Sequence, residues 1–158
     1  MSMTRRDVLQ TLPLASASLL SAFSALAAAE NASAQSRELA VLPSGAWTFE
    51  ELKVTKSPEG AEFRPILMGK LATGEILEVH ETMLPSSGMP HPPHHHVHSE
   101  MWLVREGTVE FNVMDKKKNI GPGGVAFVAS NEEHGITNVG KTPAKYFVVA
   151  VGTDAGLS

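Results

Sequence analysis

From Trp47 onward the chain never repeats apolar residues at helical spacing for a dozen positions. Instead, short runs rich in Val, Ile, Phe and Met alternate with clusters of Gly, Pro and Asn, a rhythm that restricts the chain to an almost all-β body. Candidate strands are Phe63 to Gly69, Glu75 to Leu84, His94 to Val97, Glu100 to Arg105, Thr108 to Met114, Gly124 to Ala129, Gly135 to Asn138 and Ala144 to Val151. Turn signals fall at 72–74, 85–88, 115–117, 121–123 and 140–143. Strands at this density fit a sandwich or a small barrel. Glu75 to Glu81 shows the alternation expected of a half-buried strand, with Leu77 and Val79 on one face and Glu78 and His80 on the other. His80 is therefore read as a hydrogen-bonded interior histidine.

A chain of 158 residues with 42% hydrophobic and 19% charged residues has room for one domain with a real core. The formal charge of −4 leaves no basic stripe, which speaks against nucleic acid and anionic membrane surfaces as partners. Lys116, Lys117 and Lys118 form the one cationic run, placed here in a solvated hairpin turn. The chain has no cysteine, so disulfides, thiolate ligands and thiol nucleophiles are all excluded. Any metal must be held by nitrogen and oxygen.

At the N-terminus, Thr4-Arg5-Arg6-Asp7-Val8-Leu9 precedes an apolar stretch from Leu12 to Ala29 that is interrupted by Pro13 and several serines. This resembles a twin-arginine export signal and implies a periplasmic or extracellular protein with no stable membrane span after signal removal. Two small-residue cleavage sites are open, after Ala29 and after Ala34. The expected organisation is an export signal and cleavage region over 1–34, an extended lead-in over 35–46, the β domain over 47–152 and a tail over 153–158.

The most unusual segment is His91-Pro92-Pro93-His94-His95-His96-Val97-His98-Ser99-Glu100. On a strand, His94 and His96 would share a face roughly 6.6 Å apart along the backbone, close enough to converge on one ion, with His95 opposite. The two prolines favour an extended entry into the segment. Gly88, His94, His96, Glu100 and Gly107 stand at the spacings of the first motif of the cupins, and the chain resembles that family. The second motif, read from Gly123, continues through His134 to Asn138, with Ala129 where the family has Pro and Asn131 where it has a second Gly. Both departures lie on the turn before the histidine.

The resemblance implies a single-domain cupin-type β-barrel, or jelly roll, with His94, His96, Glu100 and His134 as metal ligands. A three-histidine, one-carboxylate set suits an octahedral divalent ion with open positions, and Fe, Mn, Ni, Cu, Co or Zn all meet that description. His98 is placed in the turn between the ligand segments, hydrogen-bonded or facing solvent, and His91 and His95 as outer or surface groups. Glu132 and Glu133 read as a charged rim, with no catalytic residue assigned. The implied activity is oxidoreductase chemistry of the dioxygenase type on a small oxygen-bearing molecule. The alternatives are a metal-dependent isomerase or lyase and a non-catalytic ligand-binding or sensor module. A homodimer is a further expectation from the resemblance.

Overall fold

A computed structural model describes residues 39–157. The expected export signal over 1–34 lies outside the described residues. Nine strands follow a short 3₁₀ turn at Phe49–Glu51: β1 Thr55–Lys56, β2 Glu62–Lys70, β3 Ile76–Leu84, β4 Ser99–Glu106, β5 Val109–Val113, β6 Lys116–Ile120, β7 Val125–Val128, β8 His134–Asn138 and β9 Ala144–Gly152. A six-stranded sheet runs β1-β2-β3-β9-β4-β7 and a three-stranded sheet runs β6-β5-β8, every strand pair antiparallel. The all-β barrel expected from the sequence is the fold observed.

Period-two alternation builds the interior. Even-numbered positions from Ile76 to Leu84, Glu100 to Val104, Ala126 to Val128 and Ala144 to Ala150 turn inward, and the other sheet supplies Val109, Phe111, His134, Ile136 and Asn138. Trp102 and Phe111 meet across the sheets with ring centroids 4.9 Å apart, and Leu84, Val109 and Val128 are fully buried around them.

Gly107 joins β4 to β5 with φ +77°, and a Cβ there would lie 2.7 Å from Ala144 Cα. Only glycine fits that conformation and that contact. Asn138, the end of the second motif, is a buried pin. Its amide donates to the carbonyls of Leu84, Pro85 and Thr142, and its Oδ1 accepts from Gly140 N–H.

Two expectations are corrected. The lysine run is no turn: Lys116–Ile120 is the edge strand β6, paired with β5. The turn is the two residues before it, Met114 and Asp115, both with positive φ as a tight hairpin requires. Lysines on an edge strand keep it from pairing with another sheet. His94–Val97 is not a strand either, because its ladder is a single bridge between His94 and His134.

Outside the barrel, Glu81 faces away from the core yet is fully buried. Arg105 stands 3.1 Å and Arg64 3.9 Å from its carboxylate, and the Phe49 ring covers both guanidinium groups. The 3₁₀ turn thus shields an ion cluster that water would otherwise weaken.

Candidate metal centre

The loop from Gly88 to His98 delivers two histidines, and backbone contacts fix where they land. His94 N–H donates to His134 O and His134 N–H returns the bond to His94 O, at 3.0 and 2.9 Å. The first residue of β8 is thereby locked opposite the loop. Gly135 lets Pro93 pack against the same strand, a Cβ there being 3.2 Å from the proline ring. Asn131 N–H donates to His96 O at 2.8 Å, tying the second turn to the first. Asn131 has φ +63°. The position where the resembled motif has Gly therefore keeps its left-handed backbone, and Asn is among the side chains that best tolerate it.

Three imidazoles converge as a result. Ring centroids of His94, His96 and His134 are 4.7 to 5.2 Å apart, and one ligand atom from each lies within 4.8 Å of the others. Glu100, on the inward face of β4, sets Oε2 3.5 Å from His96 Nε2 and 3.6 Å from His134 Nε2. The four residues expected as ligands are thus in one place.

Outer contacts orient the rings. His96 Nδ1–H donates to His98 O at 2.8 Å and His134 Nδ1–H to Glu132 O at 2.9 Å, which directs the lone pair of each Nε2 inward. His94 Nδ1, His96 Nε2 and His134 Nε2 are buried and have no hydrogen-bond partner. Buried polar atoms left unpaired cost about 1–3 kcal/mol each. Two of them, His96 Nε2 and His134 Nε2, face Glu100 Oε2, and with a ring nitrogen of His94 they make a donor set of three nitrogens and one oxygen that fits a divalent transition-metal ion.

The electrostatics agree with that purpose. Burial works against ionising Glu100, but the neighbouring His134, His96 and His98 outweigh it and hold the carboxyl down to about 2. Burial, reinforced by His91, His134 and His96, lowers His94 to about 4, so that this ring stays neutral and able to ligate. Burial also opposes charge on His134, yet Glu100 and the Glu132 carbonyl raise it above its ordinary value. A proton on His134 is therefore the ion's main competitor.

His98 is more deeply involved than its expected place in a turn implies. It is 3% exposed and lies parallel to His96 with centroids 3.5 Å apart. Its Nδ1 faces Asp154 Oδ1 at 3.1 Å and its Nε2 faces Glu100 Oε1 at 3.3 Å, so it bridges the C-terminal segment to the carboxylate. Asp154 Oδ2 also accepts Val97 N–H. His96, His98 and Glu100 form a second close trio, overlapping the first. A Cβ on Gly152 would strike His98 Cα at 2.8 Å, so glycine permits this approach. The second His-x-His was the only sequence signal for His98, and Asp154 had none.

His91 and His95 are exposed. The Glu132 side chain accepts Ala129 N–H, helping to shape the turn. His80 is interior as expected, with Nδ1 2.9 Å from both oxygens of Glu78. A cavity of about 210 Å³ lies inside the barrel, bounded by Glu100 and His134 on one side and by His80, Thr82, Trp102 and Tyr146 on the others. A larger cleft of about 840 Å³ adjoins it, sharing Phe63, Thr82, Pro90 and His91.

The comparisons with known proteins bear on the fold. Residues 79–150 match the family model described as cupin domain. No curated protein sequence matches the chain significantly. Among solved structures, an RmlC-like cupin from Shewanella frigidimarina is similar with TM-score 0.60 at 18% identity, covering 73% of this chain and 97% of that one. The polyketide cyclase RemF from Streptomyces resistomycificus gives 0.55 at 19%, covering 69% and 80%. A predicted oxalate decarboxylase from Thermotoga maritima gives 0.53 at 21%, covering 68% and 99%. The body described here thus has the cupin fold, and its residues 79–150 match the cupin domain model.

Proposed function

We propose that the protein holds one divalent transition-metal ion through His94, His96, Glu100 and His134 and acts on a small oxygen-bearing molecule, with oxidoreductase chemistry of the dioxygenase type. The observation that carries the reading is the convergence of three imidazoles, with buried and unpartnered nitrogens, beside an ionised carboxylate. A bound ion supplies Lewis acidity there and, if redox-active, electron transfer to O₂. The chain's own residues do the rest. Trp102, Val148 and Ile136 exclude water, while Thr82, Tyr146 and His80 offer polar contacts on the cavity wall. The cavity's 210 Å³ holds roughly seven waters' volume, suiting a molecule of about one ring.

The similar folds named as a polyketide cyclase and a predicted oxalate decarboxylase support testing isomerase and lyase chemistry as well. The test is metal analysis of protein purified without a histidine tag, followed by oxygen-uptake and product screens over phenolic and enolic compounds. Stoichiometric metal with substrate-dependent O₂ uptake supports the proposal. Product without O₂ uptake moves the activity to the isomerase or lyase class, tight metal without turnover makes the protein a binding module, and absence of metal overturns the reading. Export is part of the proposal, resting on Arg5-Arg6 and the apolar stretch after them. N-terminal sequencing of the mature chain from the periplasm of an expressing bacterium tests it: a start after Ala29 or Ala34 is expected, and an uncut cytoplasmic chain contradicts it.

A further inference from the structure

We propose that His80, backed by Glu78, is the proton acceptor of the inner cavity, taking a proton from a hydroxyl or enolisable C–H of a molecule held at the metal centre. The proposal rests on the metal reading above and concerns a pair outside the ligand set. His80 Nδ1–H donates to the Glu78 carboxylate, 2.9 Å from either oxygen. That contact fixes the ring and leaves Nε2 as the acceptor. The Phe63 ring packs against His80 with centroids 4.5 Å apart, restraining it further. Glu78 is 9% exposed, closed in by Met68 and the C-terminal segment, where a Cβ at Gly156 would lie 2.9 Å from Glu78 Cγ.

The register puts the pair on the same sheet as Glu100, two strands away. His80 pairs with Val148 of β9, and Val148 with Trp102 of β4, two residues from Glu100. His80, Glu100 and His134 border the same cavity. The elements packed against His80 offer little competition: β2 presents Phe63 and Pro65, and β9 presents Val148. The other titratable groups at the cavity are Glu100, His134, His91 and Tyr146. Glu100 and His134 are committed to the ion. His91 sits exposed at the rim, and burial raises Tyr146 and keeps it protonated. His80 is the remaining base.

In the step, an O–H or C–H bond of the bound molecule breaks, its electron pair stays behind as a phenolate or enolate, and the proton joins His80 Nε2. The Glu78 carboxylate stabilises the imidazolium that forms.

The experiment uses the full chain loaded with zinc, which is redox-inert, and 4-nitrocatechol as probe. Calorimetry in buffers of different ionisation enthalpy counts the protons given up on binding. His80→Gln is expected to release about one more proton per probe than wild type near neutral pH, with zinc affinity within about twofold of wild type. An equal proton count overturns the proposal. Glu78→Gln keeps the shape but removes the charge behind the ring, so the pH above which the proton is released should fall, and an unchanged profile also overturns it. Failure of the chain to load zinc overturns the metal reading and this proposal together, whereas failure of the zinc-loaded chain to bind the probe, or binding with no dependence on His80, overturns this one alone.

Discussion

Replacing Asp154 with Ala should weaken metal binding although the residue touches no expected ligand atom. Its Oδ1 is 3.1 Å from His98 Nδ1 and its Oδ2 3.2 Å from Val97 N. Val97 is exposed, so water replaces that second contact at little cost. His98 is 3% exposed, and its Nδ1 would be left without a partner inside the protein. A buried polar group so stranded costs about 1–3 kcal/mol of stability. The same loss frees His98 to move from Glu100 Oε1, 3.3 Å away, and from the face of His96. Loosening the support of a metal ligand lowers affinity by about 10–100-fold. The assay is competition for zinc against a chromophoric chelator, with thermal melts of the stripped protein beside it. Asp154→Asn keeps an acceptor for His98 and should recover part of the affinity. Wild-type zinc affinity in Asp154→Ala would refute the argument that this segment supports the centre.

Metal retention should fall on acidification in a set order. His134, raised above its ordinary 6.5, takes a proton before His94, lowered to about 4, and before Glu100, held down to about 2, so loss begins near neutrality. Full retention by equilibrium dialysis down to pH about 5 would contradict that order. In stripped protein the His134–Glu100 pair contributes stability below the unfolded histidine value and loses it as pH rises through His134's raised value. Its contribution should therefore be absent from His134→Gln, visible as a smaller loss of melting temperature across the alkaline side of neutrality than in wild type. Asn138→Ala removes four side-chain hydrogen bonds at a fully buried position. It should cost about 2–4 kcal/mol in urea unfolding, and a loss below about 1 kcal/mol would deny Asn138 its role as a pin.

The barrel was legible because its strands are half-buried and alternate, as in Ile76 to Leu84 and Ala144 to Ala150, a pattern that residue order carries directly. Edge strands carry no such signal. Lys116–Ile120 is exposed on both faces until its last residue and owes its conformation to pairing with β5. His94–Val97 failed in the opposite direction. Its residues look strand-like, but only His94 finds a partner, and the side chains are set by bonds to His134 and Asn131 instead. The ligand candidates were legible from spacing, since His94, His96 and Glu100 lie within seven residues and His134 completes a second pattern. Asp154 was not, because its partner His98 is fifty-six positions away and nothing local marks the pair.

The most direct test of the central claim is anomalous diffraction at a metal absorption edge from crystals of untagged protein. The account predicts one peak per chain, about 2.0–2.2 Å from a nitrogen of His94, His96 and His134 and from an oxygen of Glu100. A peak bound by His98 in place of His94 and His134, or full metal loading with no peak among these four residues, would contradict it.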